Sequence, residues 1–98
     1  MRPCRVAFVR YLNTAPLMQG LELARDLTLL PAVPSRIASM VASGQADLGL
    51  ASVVDALDHA GTLRVLPVGM IGCDGPTLTV RVYSRTPPAH ITHLHADT

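Results

Sequence analysis

Tyr11, Asn13 and Thr14 place a phenol, a carboxamide and a hydroxyl within four residues, directly after an apolar run. Each group can donate and accept a hydrogen bond, and none carries a charge at neutral pH. Such a cluster can orient a small polar ligand. The alternative is a plain turn ending in a helix cap before Pro16, because Asn and Thr favour caps. Two further hydroxyls stand in similar settings, Ser35 after Val33-Pro34 and Ser52 after Leu50-Ala51. Each suits a helix N-terminus, where free N–H groups and the helix dipole favour an anion. Neutral hydrogen-bonding groups beside helix starts suit a small carboxylate-bearing ligand better than a metal or a nucleic acid. Asn13, Thr14, Ser35 and Ser52 do not titrate near pH 7, so none of them is a general base.

Other chemistries are poorly served. His90, His93 and His95 match no standard zinc spacing and have no second ligand cluster. Cys4 and Cys73 form no CxxC pair and read as free thiols in a reducing compartment. With 98 residues, 49% apolar and 15% charged, the composition is that of one small globular domain. A formal net charge of +1 leaves no basic stripe for phosphates, and only Phe8, Tyr11 and Tyr83 could stack on bases. Every apolar stretch is broken well before the roughly 20 residues of a membrane span. The run VAFV near the N-terminus is too short for a signal-peptide core and is cut by Arg10, so a cytoplasmic protein is expected.

These residues need elements to position them. Residues 5–9 (RVAFV) read as a buried strand, and 15–25 (APLMQGLELAR) carry apolar residues at helical spacing with Pro16 in the first turn. Residues 27–31 (LTLLP) read as a second strand. Ser35 is expected to cap a helix with the stripe Ile37, Met40 and Val41, ended by Gly44. Residues 47–51 read as a third strand and 53–58 as a short helix, with further strands at 63–71, 78–84 and from 93. Alternating strands and helices predict an α/β fold with a parallel sheet and right-handed crossovers. Ligands of such sheets bind beyond the strands' carboxyl ends. That rule selects Arg10–Thr14, Ala32–Ser35 and Ser52–Val54. Asp47, at the opposite end of its strand, reads as structural, and Asp74-Gly75-Pro76 reads first as a turn. Few helices are available to cover both sheet faces, so the chain is expected to be cut short or to be the first lobe of a two-lobed protein.

Taken together, YLNTAPLMQGLE (11–22), VPSRIASMVASGQADLGLASVVDAL (33–57) and GCDGPTLTVRVYSR (72–85) resemble the chorismate dehydratase family of the futalosine route to menaquinone. The closing ADT (96–98) resembles the start of a further family segment, a Ser/Thr-rich loop entering the second lobe. The combination is specific, whereas each motif alone is weak. The resemblance implies a two-lobed fold of the type II periplasmic-binding-protein kind, with residues 1–92 as the N-terminal lobe and 93–98 beginning the crossover strand to a second lobe. It implies conversion of chorismate to 3-[(1-carboxyvinyl)oxy]benzoate with loss of water, without a cofactor. It makes Asn13 the catalytic residue, with Tyr11, Thr14, Ser35, Ser52, Asp74, Gly75 and Thr79 as substrate contacts. It implies a dicarboxylate substrate as partner, no nucleic acid and no membrane, and a lobe face that would self-associate if left uncovered. Family members often carry a small or polar residue where Arg10 stands and Ser where Cys73 stands. The dehydration removes a ring proton and expels a hydroxyl, and aromatisation drives it, so positioning and a base are the main needs. The substrate's own enolpyruvyl carboxylate is the expected base. Two alternatives remain open: a non-catalytic solute-binding lobe, and the sister enzyme of the same pathway that makes dihydroxynaphthoate on this fold.

Overall fold

The computed structural model describes residues 2–77 and 81–96. Three parallel strands, β1 (Cys4–Phe8), β2 (Leu27–Pro31) and β3 (Leu48–Gly49), form a sheet in the order β2-β1-β3. The α/β class is the expected one. β1 pairs with β2 from Cys4 opposite Leu27 to Phe8 opposite Pro31, and with β3 at Val6 opposite Leu48 and Ala7 opposite Gly49. β1 is central, so both of its faces need apolar residues, and Val6 and Ala7 are both buried. β2 has the expected bounds, and β1 lies one residue earlier than expected. β3 is shorter than the expected 47–51, although Asp47 N–H to Arg5 O (2.8 Å) and Leu50 N–H to Ala7 O (3.0 Å) extend its ladder at both ends.

Helices α1 (Ala15–Met18), α2 (Pro34–Ala42) and α3 (Val53–Asp58) follow the three strands in turn. α2 provides the core of one sheet face. Ile37 is fully buried and packs with Ala7, Val9 and Ala46, flanked by Met40 and Val41. The close approach of helix and sheet depends on Gly49, where an added Cβ would lie 2.5 Å from Ile37 Cγ2 and 3.0 Å from Val41 Cγ2. Gly44, at φ +81°, ends α2 as expected.

Three expectations fail locally. The helix expected over 15–25 stops after one turn at Met18, because Gly20 takes a left-handed conformation (φ +86°) and the chain continues as a 3-10 turn, Leu21–Leu23. Ser35 is not the cap of α2. Pro34 occupies the first helical turn with its φ preset, Val33 before it is extended (ψ 148°) and stands at the cap, and Ser35 falls inside the helix without a capping bond. The strand expected at 63–71 is absent. Pro67 removes a ladder donor, and a tight turn closed by Val68 N–H to Leu66 O (2.9 Å) folds the chain there. Among the described residues, 81–84 and 93–96 form no strand either, and a 3-10 turn, Pro88–His90, is the regular element of that region. Val65, Val68, Met70, Tyr83 and Leu94 are exposed.

The sheet's N-terminal edge is fastened by charge. Asp47 accepts from Arg2 Nη1 (2.8 Å) and Nη2 (2.9 Å), and from the Arg5 backbone N–H (2.9 Å), Nε (3.2 Å) and Nη2 (3.2 Å). Arg5 Nη2 also donates to Gly44 O at 2.7 Å, so one cluster joins β1, the end of α2 and the start of β3. The structural reading of Asp47 agrees with this arrangement. The Arg2 guanidinium, then the Arg5 side chain and backbone N–H, hold the Asp47 carboxyl well below the usual carboxylate range. A depressed folded value means that the unfolded chain takes up the proton first. The resulting stabilisation is therefore complete above about pH 5 and fades as the pH falls through the ordinary Asp range near 3.9. The urea midpoints of the protein and of Asp47→Asn should differ at pH 7 and converge toward pH 2. A constant gap across that range would show that the charge of Asp47 is irrelevant. Because the Asp47 side chain is 28% exposed, high salt should narrow the gap at pH 7.

Candidate functional site

A parallel sheet sends the loops after β1, β2 and β3 to one edge. The β1 loop is the most tightly built of them. Ala32 N–H donates to Phe8 O (2.9 Å) and ties the exits of β1 and β2 together. Beyond Val9 the chain passes through Arg10 and Tyr11 into a 3-10 turn, Leu12–Thr14, which runs directly into α1. Thr14 organises this passage. Its buried side-chain hydroxyl lies 2.6 Å from Val9 O and 2.7 Å from Tyr11 O, and its N–H donates to Tyr11 O at 3.0 Å. One residue thus bridges the carbonyls on either side of Arg10.

Two hollows flank the loop. The first, about 330 Å³, lies at the ends of β1 and β2 and is walled by Val9, Arg10 and Tyr11 on one side and by Pro31, Ala32, Val33 and Pro34 on the other. The second, about 690 Å³, opens beneath the loop on the other side, between Phe8, Arg10, Tyr11, Thr14, Met18 and Glu22, with Leu12, Ala15, Pro16 and Gln19 completing its wall. Both hollows are shallow and open to solvent. Arg10 and Tyr11 line both hollows.

The residues selected from the sequence are distributed unevenly around this edge. Tyr11 lines both hollows with its ring half exposed, whereas Thr14 reaches the second but turns its hydroxyl inward to the loop carbonyls. Asn13 is exposed on the 3-10 turn and is absent from the lining of either hollow. Ser35 is exposed in the first turn of α2, one residue beyond the Pro34 wall. Ser52 caps α3, its Oγ accepting from Asp55 N–H at 3.1 Å, and lines neither hollow. Asp74 and Gly75 lie on an exposed turn where Gly75 has φ +102° and Cys73 Sγ approaches Gly75 O at 3.1 Å; they too are outside both hollows. Thr79 lies outside the described residues. Pro31 is a wall residue outside the loop selected from the sequence, Ala32–Ser35. The available signal was the spacing of Pro31 and Pro34, which keeps the β2 exit extended and rigid beside the crevice.

The edge presents neutral donors, one guanidinium and, in the second hollow, the Glu22 carboxylate along a loop that Thr14 fixes. Among the described residues, no group of three or more His, Cys, Asp or Glu is placed to hold a metal ion, and no helix is long and apolar enough to cross a membrane.

Comparison with known proteins gives a consistent family. Residues 4–96 match the family described as menaquinone biosynthesis. A chorismate dehydratase of Thermus thermophilus is 30% identical over 98 residues, which is all of this chain and 36% of that protein's length. No solved structure matches the chain.

Proposed function

The chain belongs to the menaquinone biosynthesis family, and from that membership we propose that the protein serves the dehydration of chorismate to 3-[(1-carboxyvinyl)oxy]benzoate, a carbon–oxygen lyase reaction. The supporting observation is the preset Arg10–Thr14 loop at the carboxyl edge of the parallel sheet, in a chain similar along its whole length to a chorismate dehydratase. The chain is read as the first lobe, residues 1–92, of a two-lobed fold of the periplasmic-binding-protein kind, with 93–98 leading toward a second lobe. The greater length of the relative supports this. The biosynthetic relative also supports a cytoplasmic protein whose partner is the small-molecule substrate.

The reaction is redox-neutral. A ring C–H and the neighbouring C–O bond break, the C–H electron pair becomes the third ring double bond, and the proton and hydroxide leave as water. Aromatisation supplies the driving force, so no cofactor is required by the balance. Asn13, Thr14, Ser35 and Ser52 are not bases, and in this reading the enolpyruvyl carboxylate of the substrate takes the proton. The protein holds the reactive conformer. Asn13, projecting from the turn that Thr14 anchors, orients that carboxylate and polarises the departing hydroxyl. Tyr11, Ser35 and Ser52 contact the substrate from the three loop ends, and Thr14 acts by fixing the first loop. Asp74 and Gly75 are assigned to the substrate by the family resemblance alone, since their turn lies outside both hollows.

The test is incubation with chorismate, following the aromatic product by its ultraviolet absorbance. Asn13→Asp is expected to lower kcat by about 10²–10³-fold, the usual effect of losing one oriented donor. Unchanged turnover and affinity would remove Asn13 from the mechanism. Saturable binding of chorismate with no aromatic product would favour a non-catalytic binding lobe instead.

A further inference from the structure

Arg10 is one of several arginines without a partner among the described residues, and it is the arginine that lines the hollows at the loop edge. Arg2 and Arg5 are both paired with Asp47 at the far end of the sheet. Within the described residues, Arg10 makes neither an ion pair nor a side-chain hydrogen bond. It is the one charged residue in the lining of the β1–β2 hollow, which is otherwise apolar except for Tyr11. The second hollow also receives Arg10 but contains Glu22, whose carboxylate opposes an anion there. The nine-residue helix α2 begins at Pro34 on the opposite wall of the first hollow and adds the positive end of its dipole. The main chain around Arg10 is fixed in advance, because the Thr14 hydroxyl bridges the carbonyls of Val9 and Tyr11.

We propose that Arg10 is the subsite for one carboxylate of a dianionic ligand, seated in the hollow at the ends of β1 and β2. This rests on the chorismate reading and assigns one of that substrate's two carboxylates to a particular residue. A guanidinium offers a planar fork that matches a carboxylate with two parallel hydrogen bonds, and it stays charged at every relevant pH. Val9, Pro31, Ala32 and Val33 give the ligand's ring an apolar surface beside that fork, in a hollow that stays open to solvent. The other carboxylate of the ligand is left toward the Asn13 turn.

Calorimetric titration of the protein with chorismate, at two salt concentrations, tests the assignment. Arg10→Met keeps the aliphatic stem and removes the fork. It should weaken binding at least tenfold and flatten the salt dependence, while Arg10→Lys, which keeps charge without the fork, should fall between. Arg10 is exposed, so the thermal midpoints of both variants should match that of the parent, which separates lost binding from lost folding. If Arg10→Met binds chorismate as tightly as the parent, with the same salt dependence, the subsite assignment is overturned and the chorismate reading stands. If the parent protein does not bind chorismate, that reading fails and the assignment fails with it.

Discussion

Ile37→Ala is expected to destabilise the protein by about 2–5 kcal/mol, the range for emptying a fully buried aliphatic site. Ile37 is the largest fully buried side chain among the described residues, and it joins α2 to the central strand at Ala7 and Val9 and to Ala46 before β3. The cavity cannot collapse easily, because Gly49 beneath it has no side chain to move in and Ala7 and Ala46 are small. A domain of this size holds about 5–15 kcal/mol in total, so one such change removes a large part of it. Ile37→Val retains the Cγ2 methyl that faces Gly49 and should cost about 0.5–1.5 kcal/mol. Urea denaturation followed by circular dichroism measures both. Equal midpoints for the two variants would mean that α2 is not packed on the sheet through this side chain.

The second large effect is expected at Thr14. Thr14→Val keeps the volume and removes the hydroxyl, leaving the Val9 carbonyl without its 2.6 Å donor, while Tyr11 O retains the Thr14 N–H. An unsatisfied buried carbonyl costs about 1–3 kcal/mol. The larger consequence concerns the loop, because Arg10 to Asn13 would no longer be held in one geometry. Thr14→Val should therefore weaken chorismate binding beyond what its loss of stability explains, and Thr14→Ser should restore both stability and binding. A Thr14→Val protein that loses stability but binds chorismate normally would show that the hydroxyl serves folding alone.

Ile37 is buried in the stripe expected for its helix, whereas Thr14 has a role other than the expected one. Thr14 was selected as a ligand contact and proves to be the inward clamp of the loop. A hydroxyl after a strand end has the same local signature whether it faces a ligand or a backbone carbonyl, and the neighbours that decide between them are not adjacent in sequence. The same applies at Ser35. Its residue type and position suggest a cap, yet Pro34 begins the helix one step earlier and leaves Val33 at the cap. Ser52 follows the local rule, because no proline intervenes and Asp55 N–H lies in reach of its oxygen.

Apolar periodicity was reliable where a hydrogen-bonded neighbour existed. Residues 27–31 and 53–58 have the expected bounds, and α2 carries the expected stripe. It failed at 63–71, where the β-prone Val65, Val68 and Ile71 surround Pro67 but no adjacent strand among the described residues offers a ladder, and it failed at 15–25, where Gly20 turns the chain toward β2. The sequence alone determined the α/β class and the parallel sheet, whose loops after β1, β2 and β3 run to one edge, because strand and helix periodicities and the strand-helix-strand crossover are local or topological rules. Only the tertiary structure decided which polar groups face that edge. Asp47 joins Arg2 and Arg5 across more than 40 residues, Thr14 turns inward, and Arg10 has no partner among the described residues. Side-chain direction depends on what packs opposite, and long-range contacts bring those partners together.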